Sequence, residues 1–497
     1  MLRKDKTLLP AQVERCAAAA FRSIAFAVVT LALLAGCSLV PPLKRPATEA
    51  PAQWTDVPTQ GALAIGDRWW TIYGDPLLDK LVEEAVAQNR DLAVAASRVD
   101  EARAQLRVTG ASLYPTVDVN ASAARSRLSE RGAVPLPRGA SFTNNSYTAT
   151  LDVAYEVDLW GRLRGATQAA RAQVLASQAA RDTIRIALAS QVVQSYFALI
   201  GLDEQIDVTR RTIGLREQNL ELQNYRYKSG LITDFNLRQL EAEVSAARAQ
   251  LPALEQRRAS TEVALSILLG RSPRAIVSEA VARERNRRDL ATAVIPEGLP
   301  SDLLLRRPDI AQAEQVLIAS NAEIGVARAA MFPRISLTGY LGSDSRTLGD
   351  LFSGPATIWQ LAFGLAQPIF NAGRLRAQVD AATAREQQAV AQYQKTVQVA
   401  FGEVREALVA QSRTREVFAA EDARVTALSE TLRLARIRFE NGLSSQLDVI
   451  DAERNLLQAE LNRVDALRAQ RAAVADVVRA LGGGWQGLDG STVQAKK

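Results

Sequence analysis

Tyr147-Thr148-Ala149-Thr150-Leu151-Asp152-Val153-Ala154-Tyr155-Glu156-Val157-Asp158-Leu159 runs straight into Trp160-Gly161-Arg162-Leu163-Arg164, and it alternates strictly. Tyr147, Ala149, Leu151, Val153, Tyr155, Val157 and Leu159 fall on one face, while Thr148, Thr150, Asp152, Ala154, Glu156 and Asp158 fall on the other. A period of two is the mark of a strand with unlike faces. Three other stretches share the logic. Val117, Val119 and Ala121 alternate with Thr116, Asp118 and Asn120; Ile335 and Leu337 oppose Ser336 and Thr338; Trp359, Leu361, Phe363 and Leu365 oppose Gln360 and Gly364. Strands are therefore expected over 115–126, 145–159, 333–343 and 358–370. Apolar-out, polar-in strands of this length suit a membrane barrel with a wet lumen. A soluble antiparallel sheet lying on helices would alternate in the same way. Tyr114, Trp160, Phe332, Trp359 and Phe370 cluster near the strand ends, where interfacial aromatic girdles form.

Working outward, Gly161-Arg162-Leu163-Arg164 recurs 212 residues later as Gly373-Arg374-Leu375-Arg376. At the same offset Arg226-Tyr227-Lys228-Ser229-Gly230-Leu231 matches Arg438-Phe439-Glu440-Asn441-Gly442-Leu443, Glu241 matches Glu453, and Leu269-Gly270 matches Leu481-Gly482. Tyr114-Pro115 matches Phe332-Pro333 at offset 218, so the first copy holds six extra residues upstream of the Gly-Arg-Leu-Arg element. The chain is a duplication. Each copy reads helix, strand, turn, strand, very long helix, tight turn, shorter helix. The long helices are expected over Leu163–Tyr227 and Leu375–Phe439, each reaching about 100 Å at 1.5 Å per residue. The return helices are expected over Phe235–Leu269, with a kink at Pro252, and Leu447–Leu481; helices over Asp75–Ser112 and Asp302–Ala330 would extend that layer. Leu237, Leu240, Val244, Ala247, Leu251 and Leu254 form one apolar seam, and Val425, Leu428, Leu432, Ala435 and Phe439 another, which pack helices at shallow angles. A cytosolic coiled-coil scaffold would show the same seams.

The amino terminus supplies the context. Five basic groups precede the apolar run Ile24–Leu34, which is too short for a bilayer span of about 20 residues but suits the core of an export signal. Leu34-Ala35-Gly36-Cys37 then resembles a bacterial lipobox. That resemblance implies cleavage before Cys37 and acylation of it by diacylglycerol and an amide-linked chain such as palmitate. Ser38 implies sorting to the outer membrane; an ordinary signal peptide ending in Cys is the alternative. Single-chain barrels start at about eight strands, and open sheet edges are not tolerated in hydrocarbon. If these four strands are in a membrane, copies must associate to close a shared barrel. The remaining composition prunes chemistry. The chain has no His, its only cysteines are Cys16 and Cys37, and it carries neither a Gly-rich phosphate loop nor a Gly-x-Ser-x-Gly elbow. Catalysis has nothing to rest on and no cofactor is expected. Both charge signs are interleaved along the helices, which argues against a nucleic-acid binder.

Signal, lipobox, duplication, strand pairs and long arms together resemble the TolC-like outer membrane factor family, in its lipoprotein branch serving resistance-nodulation-division efflux systems. Leu303-Leu304-Leu305-Arg306-Arg307-Pro308-Asp309-Ile310, Ile324-Gly325-Val326-Ala327-Arg328-Ala329-Ala330 and Gln367-Pro368-Ile369-Phe370 carry the likeness. It implies a mixed α + β fold: a homotrimer with a twelve-stranded transmembrane barrel, four strands per protomer, continued by a long α-helical periplasmic barrel with an equatorial belt. The expected segments are a signal at 1–36, an anchor and equatorial piece at 37–74, a first repeat at 75–270, an equatorial piece at 271–300, a second repeat at 301–482 and a tail at 483–497. The implied role is the passive outer membrane exit duct of a tripartite pump. Its partners would be outer membrane lipids, a periplasmic adaptor (membrane fusion protein) and an inner membrane pump. The duct of a type I protein secretion system is the alternative.

Within that resemblance the turns Ser229-Gly230-Leu231 and Asn441-Gly442-Leu443 are the expected adaptor contacts, although helix termination alone accounts for both glycines. Asp448 and Asp451, three apart on one helix face, would ring the periplasmic aperture and favour cations. A solvated first helix turn, where the dipole favours Asp, is the competing reading. The first copy holds Asn236 and Gln239 at the equivalent positions. A Tyr–Arg latch of the family would fall on Phe439 and Ser444 here, which puts that latch in doubt. Pairing of Arg438 or Arg226 with Asp234 or Asp448 would be a substitute.

Overall fold

In the computed structural model, residues 38–47, 66–129, 131, 141–278, 280–283, 306–485 and 487–488 are described. The export signal, Cys37, most of the 271–300 segment and the end of the tail lie outside the described residues. The first copy runs through α1 (Pro76–Gln88), α2 (Arg90–Ala111), β1 (Thr116–Arg127), β2 (Thr143–Val157), α3 (Arg162–Lys228) and α4 (Asp234–Leu268). After the short α5 (Pro273–Ser278), the second copy runs through α6 (Pro308–Ala329), β3 (Arg334–Ser345), β4 (Thr357–Ala366), α7 (Arg374–Glu440) and α8 (Gln446–Ala480). The long helices are 67 residues each and the return helices 35 each.

Several expected boundaries move, three of them with a clear local cause. The single helix expected over Asp75–Ser112 is two, because Asn89 leaves helical geometry (ψ 134°) and caps the second, its Oδ1 accepting from Leu92 N at 3.0 Å. The strand expected to reach Leu159 stops at Val157, ahead of the left-handed Gly161 (φ 74°) that starts α3. The strand expected to reach 370 stops at Ala366, since Pro368 has no N–H to give a ladder. Helix α4 runs through Pro252 without interruption.

Contacts divide the chain into two compact units. The first comprises residues up to Arg45, Glu101–Val174 and Gln315–Ala391. Its centre is one antiparallel sheet in the order β1-β2-β3-β4. Asp118 lies opposite Asp152, Leu151 opposite Leu341, and Leu341 opposite Trp359, so the alternation read from the sequence is kept across all four strands. The apolar face is uncovered: Trp359, Leu361, Phe363 and Leu365 are between 62% and 79% exposed. Below the sheet, Trp160 stacks on Phe332 (centroids 4.8 Å apart) and donates from Nε1 to Pro333 O at 2.8 Å. Glu156 accepts two bonds from Arg162, which pins the strand end to the helix start. The segment following Cys37 lies on α6, where Asn321 Nδ2 donates to Pro41 O at 2.9 Å and any Cβ on Gly325 would collide with the Val40 backbone.

The second unit comprises Pro46–Asp100, Leu175–Glu314 and Gln392–Lys497. Its largest core sets Leu188, Val192, Val193, Tyr196 and Phe197 of α3 against Leu78, Leu81, Val82 and Ala85 of α1 and Val474, Val477 and Val478 of α8. The 3-4 spacing on each helix presents one stripe inward, and each fully buried large side chain contributes roughly 1.5–3 kcal/mol. Some polar atoms that enter are matched: Asp75 caps α1 through Leu77 N and also accepts from Tyr196 Oη at 2.5 Å, and Tyr73 Oη donates to Arg471 O at 2.8 Å, whereas Trp70 Nε1 is buried without a hydrogen-bond partner. Burial pushes the Tyr73 phenol above its ordinary range, so it stays a neutral donor. The duplication survives in close packing. A Cβ on Gly270 would strike Gln88 O, and one on Gly482 would strike Arg306 O, the same clash 212 and 218 residues on.

Candidate functional site

Both long helices end in one way. Gly230 (φ 72°) and Gly442 (φ 71°) take the left-handed conformation. Gly230 N donates to Tyr227 O and Leu231 N to Arg226 O; Gly442 N donates to Phe439 O and Leu443 N to Arg438 O. This paired pattern closes the last carbonyls of a helix and needs a residue without Cβ strain at its centre. Ser229 Oγ and Asn441 Nδ2 each add a second bond to a carbonyl that their own backbone N–H already reaches, Tyr225 O and Ile437 O. The residue after each glycine is left in the open, Leu231 at 72% and Leu443 at 69% exposed, with Phe235 and Leu447 exposed one turn on. Matched apolar side chains thus stand uncovered at both turns of the isolated chain.

The second turn feeds α8 through a complete capping box. Ser445 Oγ accepts from Asp448 N at 3.3 Å, and the Asp448 carboxylate accepts from Ser445 N at 2.8 Å. The first turn has only half of this, Thr233 Oγ1 accepting from Asn236 N at 3.4 Å. Asp448 therefore has a structural task whatever else it does. Asp451, exposed one turn on, has Arg454 at 3.6 Å. Phe439 packs against the cluster of Leu432, Val449 and Ala452, and Ser444 Oγ is buried with no hydrogen-bond partner. Within the isolated chain Arg438 reaches Leu443 O at 3.5 Å, and Asp234 pairs with Arg238 at 3.4 Å.

Farther along the same helices lies a charge network that sequence reading did not single out, beyond noting Glu453 as a repeat match. Arg216 of α3 is 3.3 Å from Glu243 of α4 and 3.9 Å from Glu453 of α8. Glu243 also pairs with Arg454 of α8, and Glu453 with Arg436 of α7 at 2.9 Å. Arg216, Glu243 and Glu453 are largely buried, their side chains 6%, 10% and 13% exposed. The hydrogen bonds that Arg454 donates to the Glu243 carboxylate hold its guanidinium above its ordinary value. Glu243 follows the seam residue Leu240 by three, which was the available signal for its burial.

A cavity of about 1200 Å³ opens in the first unit, lined among others by Glu156, Trp160, Arg162, Phe332, Arg334 and Arg374. It shares no residue with the turns.

Comparison with known proteins agrees with this geometry. The family described as "Outer membrane efflux protein" matches residues 81–271 and 299–483. The toluene efflux pump outer membrane protein TtgC of Pseudomonas putida is 35% identical over 480 residues, covering 95% of this chain and 98% of that protein. The cation efflux system protein CusC of Escherichia coli is 34% identical over 458 residues, covering 91% and 97%. The crystal structure of the Campylobacter jejuni CmeC outer membrane channel superposes with a TM-score of 0.87 at 27% identity, covering 92% of this chain and 97% of that one. Duplicated long-arm helices, an uncovered four-stranded sheet and near full-length likeness to efflux channels lead to one assignment: this chain belongs to the outer membrane efflux protein family.

Proposed function

We propose that three copies of this chain close one twelve-stranded barrel in the outer membrane and serve as the passive exit duct of a tripartite efflux pump. The observation that carries the reading is the sheet. Its four strands leave β1 and β4 each with an unpaired edge, while a face bearing Trp359, Leu361 and Phe363 has no covering layer among the described residues. Hydrocarbon accepts such a face but not such edges, so identical sheets joined edge to edge satisfy both. Alternate positions Asp118, Asn120, Thr150 and Asp152 then line the water-filled side.

The energy and the substrate choice belong to an inner membrane pump, reached through a periplasmic adaptor. Leu231 and Leu443, with Ser229, Gly230, Asn441 and Gly442, form the adaptor-contact turns; exposed apolar residues at equivalent positions of both copies are what a repeating partner tip would bury. Asp448 and Asp451 form an acidic ring at the aperture, with Phe439 packed behind it, and favour cations there. Cys37 is the lipid attachment site, and residues 271–300 belong to the equatorial belt. The relatives named for toluene and cation efflux share this duct reading while naming different cargo.

Purified protein added to planar bilayers tests it. Discrete conductance steps from a detergent-solubilised trimer are expected. A monodisperse single subunit that stays soluble without detergent and carries no current would end the proposal.

A further inference from the structure

The cavity of about 1200 Å³ in the first unit is walled by the same helix stripe of both copies. From α3 come Arg162, Ala166, Ala169 and Gln173, in steps of four, three and four along one face. Their equivalents 212 residues on, Arg374, Gln378, Ala381 and Arg385 of α7, line the same space. Small side chains at the centre of each stripe leave the room, and the stacked pair Trp160–Phe332 stands beside the end of β2. Arg334 enters from the start of β3, on the strand face that bears Ser336 and Thr338.

The two copies differ here in charge. In the first, Arg162 gives two bonds to Glu156, and Arg164 is paired with Asp158. Pro368 and Phe370 stand at the equivalent places of the second copy, so Arg374 has lost the carboxylate that its duplicate holds. The second copy also gains cations: Arg385 replaces Gln173, and Arg334 replaces Thr116 at offset 218. Arg374 and Arg385 have no ion pair among the described residues, and Arg334 lies 3.9 Å from a Glu156 already committed to Arg162. Glu323 is the one remaining carboxylate on the wall. A guanidinium fork without a partner matches the oxygens of a carboxylate, sulfonate or phosphate.

We infer that this cavity is a binding station for organic anions with an apolar body, Arg334 and Arg374 holding the charged head while the alanine floor and the Trp160–Phe332 pair receive the body. Its part in transit rests on the duct reading: Glu156 and Arg334 share the polar strand face, which in a closed barrel borders the water-filled passage. Three such stations would then surround the route. The cavity exceeds the roughly 300–1,000 Å³ of a tight small-molecule pocket, and arginines as exposed as these hold an anion weakly. That suits a passage, where a site must release what it takes.

Block of the full-length trimer's current in planar bilayers by naphthalene-2-sulfonate tests the station, with inorganic sulfate as the anion that lacks a body. Arg334→Gln combined with Arg374→Gln is expected to raise the half-blocking concentration of naphthalene-2-sulfonate about tenfold. Arg328→Gln combined with Arg376→Gln removes the same charge from exposed positions off the cavity wall, and is expected to stay within about twofold of wild type. Sulfate is expected to need about tenfold more than naphthalene-2-sulfonate to block the wild type. Equal block of wild type and the cavity pair would overturn the station. So would an equal shift in the control pair, since only the general field would then be acting, or sulfate as potent as the naphthalene compound. If the cavity pair fails to assemble, the exposed Arg374→Gln alone decides, at about threefold. Equilibrium dialysis of the same probe against detergent-solubilised protein, with a protein-free micelle blank, keeps station and duct apart. Retention lost only in the cavity pair, without any wild-type current, would end the duct reading and keep the site. Wild-type current with neither retention nor block would end the site and keep the duct.

Discussion

At the scale of single residues, glycine does two different jobs in this chain, and they can be separated. Gly230 and Gly442 are needed for backbone conformation alone, since nothing lies within 4 Å of a Cβ built on either. Gly270 and Gly482 combine a positive φ (71° and 94°) with a carbonyl oxygen in the place of that Cβ. Replacing Gly442 by Ala should therefore cost about 1–2 kcal/mol, the ordinary penalty for left-handed geometry in a residue with a Cβ. Gly482→Ala must also displace the backbone at Arg306 and should cost clearly more. Thermal unfolding of the two variants in detergent checks this; equal losses would show that the contact seen at Gly482 relaxes without cost. All four glycines were visible as repeat matches. Only the coordinates separate the two that stop a helix freely from the two that stop it against a neighbour.

At the scale of elements, the start of α8 shows how one residue can carry a structural and an electrostatic role together. Asp448 completes the capping box of Ser445, and it is one of the two carboxylates proposed for the aperture. Substitution by Asn retains an acceptor oxygen and loses the charge; substitution by Ala loses both. Asp448→Ala should cost about 1 kcal/mol through the lost bond from Ser445 N and loosen the first turn of α8. Asp448→Asn should leave stability nearly unchanged. Combined with Asp451→Asn, it should weaken block of the pore by multivalent cations. Hydrogen exchange at the amides of the first α8 turn, alongside block measured in bilayers, reads the two effects separately. Unaltered block in the double Asn variant would leave Asp448 as a cap and nothing more. The Asp pair was legible as a pattern three apart, but its capping partner required knowing that the helix begins at Gln446 and not a residue later.

At the scale of the whole molecule, the open edges matter most. Strands β1 and β4 are the outer members of the sheet, and no described strand of the same chain pairs with their far sides. If copies close the barrel, β1 of one protomer runs beside β4 of the next. Cysteines placed in turn at Val117, Val119 and Ala121 on β1, each combined with Cys at Leu361 on β4, should yield covalent dimers and trimers on mild oxidation, most strongly for the pair in register. Linked species that stop at dimers, or that extend without limit, would contradict a closed ring of three.

The strands, their faces, the duplication and the lengths of the arms could all be read directly, because periods of 2 and of 3.6 and a repeated offset are local properties of a chain. Local pattern could not show that Nδ2 of Asn89, the residue that breaks the helix, would donate to Leu268 O 179 residues away. Nor could it pair Glu243 with Arg454 across 211 positions, since long-range charge pairs depend on which helix faces meet. The amino-acid order by itself determined the elements and their repetition; which carboxylate meets which guanidinium was decided only when four separate helices were brought together, because burial and proximity are properties of the packed molecule.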